Sequence, residues 1–62
     1  MGEPAIMRYF EFVHLPPRLQ VVSQPFCELA RAVLAVTEAG AEQSACLRKL
    51  LEAKDCAVRA AL

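Results

Sequence analysis

Gly40 separates two amphipathic segments, and this division most limits what the chain can fold into. Glycine commonly lies just past the last residue of a helix, so we expect the first main helix to span 25–39. We expect the second to span 41–62, with Glu42 in its first turn at the positive end of the helix dipole. The sequence thus predicts an all-α fold, a helical hairpin within a single domain of residues 1–62.

Each predicted helix has one apolar face. In the first, the residues that share it are Phe26, Leu29, Ala30, Val33, Leu34, Val36 and Thr37. In the second, they are Leu47, Leu50, Leu51, Val58, Ala61 and Leu62. A second row of small residues follows this stripe: Cys46, Ala53, Ala57 and Ala60. Such a row permits close approach of another helix, which a two-helix domain does not itself provide.

The residues before the hairpin are predicted to form an N-terminal arm. Residues 1–8 have no clear pattern and are expected to be loose, and residues 9–24 form an extended or helical arm rich in aromatic residues and proline. Pro17 suits the first position of a lead-in helical turn. Ser23-Gln24-Pro25 indicates a new helix start, with Ser23 or Gln24 as the cap and Pro25 in the first turn.

Chain length points to self-association. A domain of 62 residues buries only about 60% of the surface that its unfolded chain exposes. Its cysteines, Cys27, Cys46 and Cys56, are odd in number and lack C-x-x-C spacing, so we expect buried thiols and no metal site. Oligomerisation is therefore the expected source of additional stability.

Charge and motif content exclude several classes of protein. Seven basic and seven acidic side chains balance, whereas proteins that bind long nucleic acids carry a basic excess. No signal pattern or membrane-length apolar run is present, which predicts a cytosolic protein. No catalytic, phosphate-loop or cofactor motif is found, so we expect neither enzymatic activity nor a cofactor.

Two features leave alternatives open. Lys54 falls inside the leucine stripe, where its stem either lies along apolar surface with the ammonium in water or holds a charge for an anion. The aromatic residues of the arm, Tyr9, Phe10 and Phe12, either cover the hairpin or form a stacking platform for nucleobases. Arg48, Lys49 and Arg59 are expected to be exposed and solvated unless symmetry brings copies together. On this polar side of the second helix, Arg48 with Glu52 and Asp55 with Arg59 are expected to form i,i+4 pairs.

The order of several segments resembles a known family. They are Phe12-Val13-His14-Leu15-Pro16-Pro17, then Glu28 through Ala30, then Glu42-Gln43-Ser44-Ala45-Cys46-Leu47, then Leu50-Leu51-Glu52-Ala53-Lys54. Together they resemble the phage anti-CBASS sponges, small helical proteins that sequester the cyclic oligonucleotides of bacterial antiphage signalling. The resemblance implies a homo-oligomer, typically a hexamer, that acts without catalysis in the cytoplasm of the infected host.

The resemblance also implies two kinds of site. Cyclic dinucleotides would bind between paired subunits, through Tyr9, His14 and Arg18 with Lys54 nearby. Cyclic trinucleotides would bind on a three-fold axis, through symmetry-related copies of Arg48 or Lys49. The alternative function is a helical oligomerisation or protein-interaction module with no nucleotide ligand.

Overall fold

The computed structural model describes residues 3–62, which form three helices and no strand. A 3-10 helix spans Ala5–Phe10, helix α1 spans Pro17–Val36 and helix α2 spans Ala41–Ala60. The two α-helices pack against each other as a hairpin, and the 3-10 helix contacts both. The predicted all-α helical hairpin is confirmed.

Helix α1 begins eight residues before the predicted start and passes through Pro25 without ending. The carbonyl of Pro16 accepts hydrogen bonds from the amides of Leu19 (2.9 Å) and Gln20 (3.0 Å), which closes the first turn. Pro25 removes the donor for the carbonyl of Val21. Both residues lie on the exposed side of the helix, where water can satisfy that carbonyl. The predicted helix start at Ser23 is therefore wrong.

Helix α1 ends at Val36, three residues earlier than predicted, because Thr37 is extended (φ −128°, ψ 162°). The Thr37 hydroxyl donates to the carbonyl of Val33 at 2.7 Å and accepts from Nε2 of Gln43 at 2.8 Å. The largely buried Gln43 amide thus ties the first turn of α2 to the connection. Gly40 caps α2 by accepting from the amide of Ser44 at 3.0 Å.

The N-terminal segment contributes to the core. The loose end predicted for residues 1–8 is wrong for 5–8, which belong to the 3-10 helix, and residues 1 and 2 of that prediction lie outside the described residues. Met7 and Phe10 are 3% and 0% exposed and cluster with Cys27, Ala30 and Leu47. A two-helix hairpin has one open apolar face, and the 3-10 helix covers it. Full burial of a side chain such as Phe10 contributes about 1.5–3 kcal/mol to folding.

The buried face of α1 matches the predicted one in part: Ala30 is buried, and Phe26, Val33 and Leu34 pack against the core as expected. Leu19, Ser23, Cys27 and Ala30 are buried, whereas Leu29 and Val36 are 51% and 82% exposed. Because the helix extends back to Pro17, Leu19 and Ser23 add two buried positions before Phe26.

The outer face of α2 agrees with expectation for the small-residue row and departs from it for two cysteines and two ion pairs. Cys46, Ala53 and Ala60 are exposed, so the small-residue row lies outside the hairpin. Cys46 and Cys56 are exposed free thiols, and only Cys27 is buried as predicted. The expected pairs of Arg48 with Glu52 and of Asp55 with Arg59 are not formed: within residues 3–62 the ion pairs are Arg31–Glu3 and Lys54–Asp55.

Candidate functional site

A groove of about 370 Å³ lies between the N-terminal segment and the second half of α2. Tyr9, Glu11, His14 and Leu15 line it from the N-terminal side. Leu51, Lys54, Asp55, Val58 and Arg59 line it from α2. We call this the Tyr9–Lys54 groove. Three of the six predicted binding residues, Tyr9, His14 and Lys54, meet here although they come from distant parts of the chain.

The aromatic residues of the N-terminal segment divide between the two predicted roles. Phe10 is fully buried, and the half-buried Phe12 packs against the same core. Tyr9 is 57% exposed and lines the groove. The 3-10 helix explains this division, because burial of Phe10 directs its neighbour Tyr9 toward solvent. An exposed phenol ring at the edge of a groove offers a face on which a nucleobase can stack.

His14 lies in the turn that leads to the proline pair. The amide of Leu15 donates to the carbonyl of Phe12 at 3.0 Å and closes this turn. Gln20 steadies it by donating through Nε2 to the carbonyls of Val13 (3.2 Å) and Leu15 (2.8 Å). The exposed His14 ring is therefore presented to the groove on a backbone that α1 holds in place.

Lys54 combines features of both of its predicted roles. Its side chain is only 13% exposed, and its Nζ lies 3.1 Å from Oδ1 of Asp55, whose side chain is 47% exposed. The stem is covered while the ammonium reaches the groove and meets the neighbouring carboxylate. An incoming anion would compete with Asp55 for this ammonium.

Two groove residues were missed by sequence reasoning. Arg59 was assigned to a surface pair with Asp55, but it lines the groove, and its Nη2 lies 3.4 Å from Sγ of Cys56. The available signal was its position directly after Val58, a member of the leucine stripe that also lines the groove. Glu11 adds a carboxylate on the opposite wall of the groove. It was missed because no local sequence pattern indicated that the N-terminal segment folds onto α2.

The other three predicted binding residues lie outside the groove. Arg18 donates from Nη1 to the carbonyl of Ala61 at 2.9 Å and so links the start of α1 to the end of α2. A cationic side chain at this position also suits the negative end of the helix dipole. Arg48 and Lys49 are exposed on α2.

A second groove, of about 340 Å³, lies on another side of the N-terminal segment. Arg8, Glu11 and Glu3 line it together with Arg31, which bonds Glu3 at 2.8 Å. The pKa of Arg31 is raised, first by a hydrogen bond with the Cys27 side chain and then by the charge of Glu3. Two cations and two carboxylates line this second groove, the same balance as in the Tyr9–Lys54 groove, and the difference between the two is that the second groove has no aromatic residue in its lining.

The chemical capacity of the Tyr9–Lys54 groove is stacking combined with cation-mediated anion binding. Within the described range, no three histidine, cysteine, aspartate or glutamate side chains are grouped closely enough to hold a metal. Over residues 3–62, no helix has the length and apolar character needed to span a bilayer. Comparison of the chain with protein-family models, curated proteins and solved structures found no match.

Proposed function

We propose that the protein binds and sequesters cyclic oligonucleotide second messengers, and so antagonises CBASS-type antiphage signalling in the cytoplasm of an infected bacterium. The observation that carries this proposal is the Tyr9–Lys54 groove, which presents one exposed aromatic ring beside Lys54, Arg59 and His14. The mechanism is stoichiometric: bound messenger is withheld from the host effector and is not converted.

The groove matches the two chemical parts of such a ligand. A cyclic oligonucleotide has flat bases and two or more phosphates within one ring. Tyr9 offers a stacking face, worth about 1–3 kcal/mol per base in single-strand-binding proteins. Arg59 offers a planar guanidinium suited to phosphate oxygens, and Lys54 supplies a compact charge.

The size of the groove favours a shared site. Its volume of about 370 Å³ is near the lower end of the range of about 300–1,000 Å³ for small-molecule sites. One groove therefore accommodates part of a cyclic dinucleotide, and a second subunit would complete the enclosure. The proposal thus includes a homo-oligomer, a hexamer in the arrangement implied by the resemblance.

The second candidate function is a protein-interaction module without a nucleotide ligand. The observation that favours it is exposed apolar surface on α1, where Val21 and Val36 are 73% and 82% exposed. Surface of this kind commonly marks a contact with another protein. Only the first function predicts that a cyclic nucleotide binds to the folded protein and stabilises it.

A thermal-shift screen with cyclic di- and trinucleotides, and with linear dinucleotides as controls, separates the two candidates. A ligand present at 100 times its Kd stabilises the folded state by about 2.7 kcal/mol. We expect at least one cyclic ligand to raise Tm by several degrees and the linear controls to have little effect. Unchanged Tm with every cyclic ligand would leave the interaction module as the better account.

Arg48→Ala tests whether a second, trinucleotide site exists on the outer face of α2. Arg48 is exposed and does not pair with Glu52, so the substitution is expected to change stability by less than about 0.5 kcal/mol. We expect it to abolish cyclic trinucleotide binding and to leave dinucleotide affinity within about threefold, which is less than 1 kcal/mol. Titration calorimetry with both ligands measures this, and equal loss of both affinities would contradict the two-site arrangement.

A further inference from the structure

Glu11 is the acidic residue of the Tyr9–Lys54 groove whose carboxylate has no partner among residues 3–62. It takes part in no side-chain hydrogen bond and in neither of the ion pairs of that part of the chain. The other acidic residue of the groove, Asp55, pairs with Lys54 at 3.1 Å. Arg8 and Arg31 line the second groove together with Glu11, but neither lies within ion-pair distance of its carboxylate. Glu11 therefore keeps its full capacity to accept hydrogen bonds.

The backbone holds the Glu11 side chain at a fixed place on the wall of the groove. Glu11 directly follows the 3-10 helix, is extended (φ −62°, ψ 143°) and donates its amide to the carbonyl of Arg8 at 3.4 Å. Its two neighbours, the fully buried Phe10 and the half-buried Phe12, pack in the core. Because adjacent side chains of extended backbone point to opposite sides, Glu11 is directed outward. One short segment thus supplies both the stacking ring of Tyr9 and a free carboxylate.

The other groups of the groove define which part of a ligand reaches Glu11. Lys54 and Arg59 lie on α2 and suit the phosphates, while Tyr9 offers its ring to a base. His14 can donate or accept a hydrogen bond and makes no single requirement. A carboxylate only accepts hydrogen bonds and repels phosphate, so Glu11 requires donors on another part of the same ligand. In a nucleotide that stacks on Tyr9, that part is the edge of the base.

Guanine is the base whose edge matches a carboxylate. Its N1–H and N2–H donors lie side by side, so they can form two parallel hydrogen bonds with the two oxygens of one carboxylate. Adenine and cytosine each present an amino group beside a ring nitrogen that accepts, and uracil presents one N–H between two carbonyls. In these three bases an acceptor would face a carboxylate oxygen and repel it.

We infer that Glu11 makes the Tyr9–Lys54 groove selective for guanine, by accepting from N1–H and N2–H of a base that stacks on Tyr9. This inference rests on the proposed function, because it names the base that a cyclic dinucleotide presents to the groove. It extends that function, because stacking and phosphate binding tolerate every base and do not by themselves discriminate between ligands.

Titration calorimetry of the full chain compares the cyclic dinucleotide of two guanosines with that of two adenosines. We expect the guanine ligand to bind at least about tenfold more tightly, the effect of hydrogen bonds to a charged group. Glu11→Gln replaces one acceptor oxygen by an amide nitrogen that faces the guanine donors, so the two Kd values should come within about threefold. Glu38→Gln makes the same change on an exposed residue outside both grooves and should keep the original ratio.

A cyclic dinucleotide of two inosines separates the paired contact from a general effect of charge. Inosine keeps the N1–H of guanine and lacks the N2 amino group. Its use should therefore weaken binding to the unmodified chain at least about fivefold, and binding to Glu11→Gln less than about twofold.

Three results would overturn the inference and leave the proposed function in place. They are equal Kd values for the guanine and adenine ligands, a guanine preference that Glu11→Gln retains, and an inosine effect of the same size in both proteins. Failure of every cyclic dinucleotide to bind would overturn the proposed function and this inference together.

Discussion

Phe10→Ala is expected to unfold a large fraction of the protein at room temperature. Phe10 is fully buried between the 3-10 helix and the hairpin, in one cluster with Met7 and Leu47. Replacing a buried phenylalanine by alanine costs about 3–5 kcal/mol. A single core in a chain of this size rarely supplies more than about 3–5 kcal/mol. Circular dichroism with urea denaturation measures the loss.

Tyr9→Ala is the matched control for this substitution. Tyr9 is the adjacent residue and is 57% exposed, so its replacement should change the free energy of unfolding by no more than about 0.5 kcal/mol. Equal urea midpoints for the two variants would contradict the core described here. The same burial predicts that deleting residues 1–12 disrupts the helices, and therefore that such a deletion cannot isolate a role in binding.

The second large effect concerns Lys54, whose side chain is the least exposed of the charged side chains that line the groove. Lys54→Met keeps the aliphatic stem against the leucine stripe and removes the charge. Hydrogen bonds to charged groups contribute about 1.5–3 kcal/mol, which corresponds to a loss of about 10- to 100-fold in affinity for a cyclic dinucleotide. Titration calorimetry measures the change in Kd.

Lys49→Met is the control, because it removes the same charge from a side chain on the exposed outer surface of α2. We expect it to leave dinucleotide affinity within about threefold, less than 1 kcal/mol. Folding should tolerate Lys54→Met, since Asp55 is left with a side chain that is 47% exposed and solvated. Similar affinities for the two variants would remove Lys54 from the dinucleotide site.

The hairpin was predictable because its determinants are local. Gly40 and the leucine spacing of α2 are properties of short windows, and the structure has α2 at Ala41–Ala60, within two residues of the predicted range. Pro25 misled the prediction for the same reason. In a short window of sequence, a proline indicates a helix start. In the structure the helix continues through Pro25, because Pro25 lies on the solvent side while the residues from Leu19 to Ala30 on the other side stay packed.

The groove was only partly predictable because it depends on a tertiary contact. Tyr9, His14 and Lys54 were selected for their chemistry, but their meeting depends on Phe10 anchoring the N-terminal segment against the hairpin. Tyr9 and His14 are so far from Lys54 in the sequence that helix periodicity cannot predict their contact. For Arg59, a local pattern gave a wrong prediction. The i,i+4 spacing predicted a surface pair with Asp55, but Asp55 pairs with Lys54 instead.

The most direct test of the account is equilibrium dialysis of the purified protein against cyclic di- and trinucleotides, followed by chromatography of the retained ligand. The account predicts saturable retention of at least one cyclic ligand at a fixed ratio to subunits, and recovery of that ligand intact after denaturation of the protein. Absence of retention for every cyclic ligand, or recovery of a linearised product, would contradict sequestration.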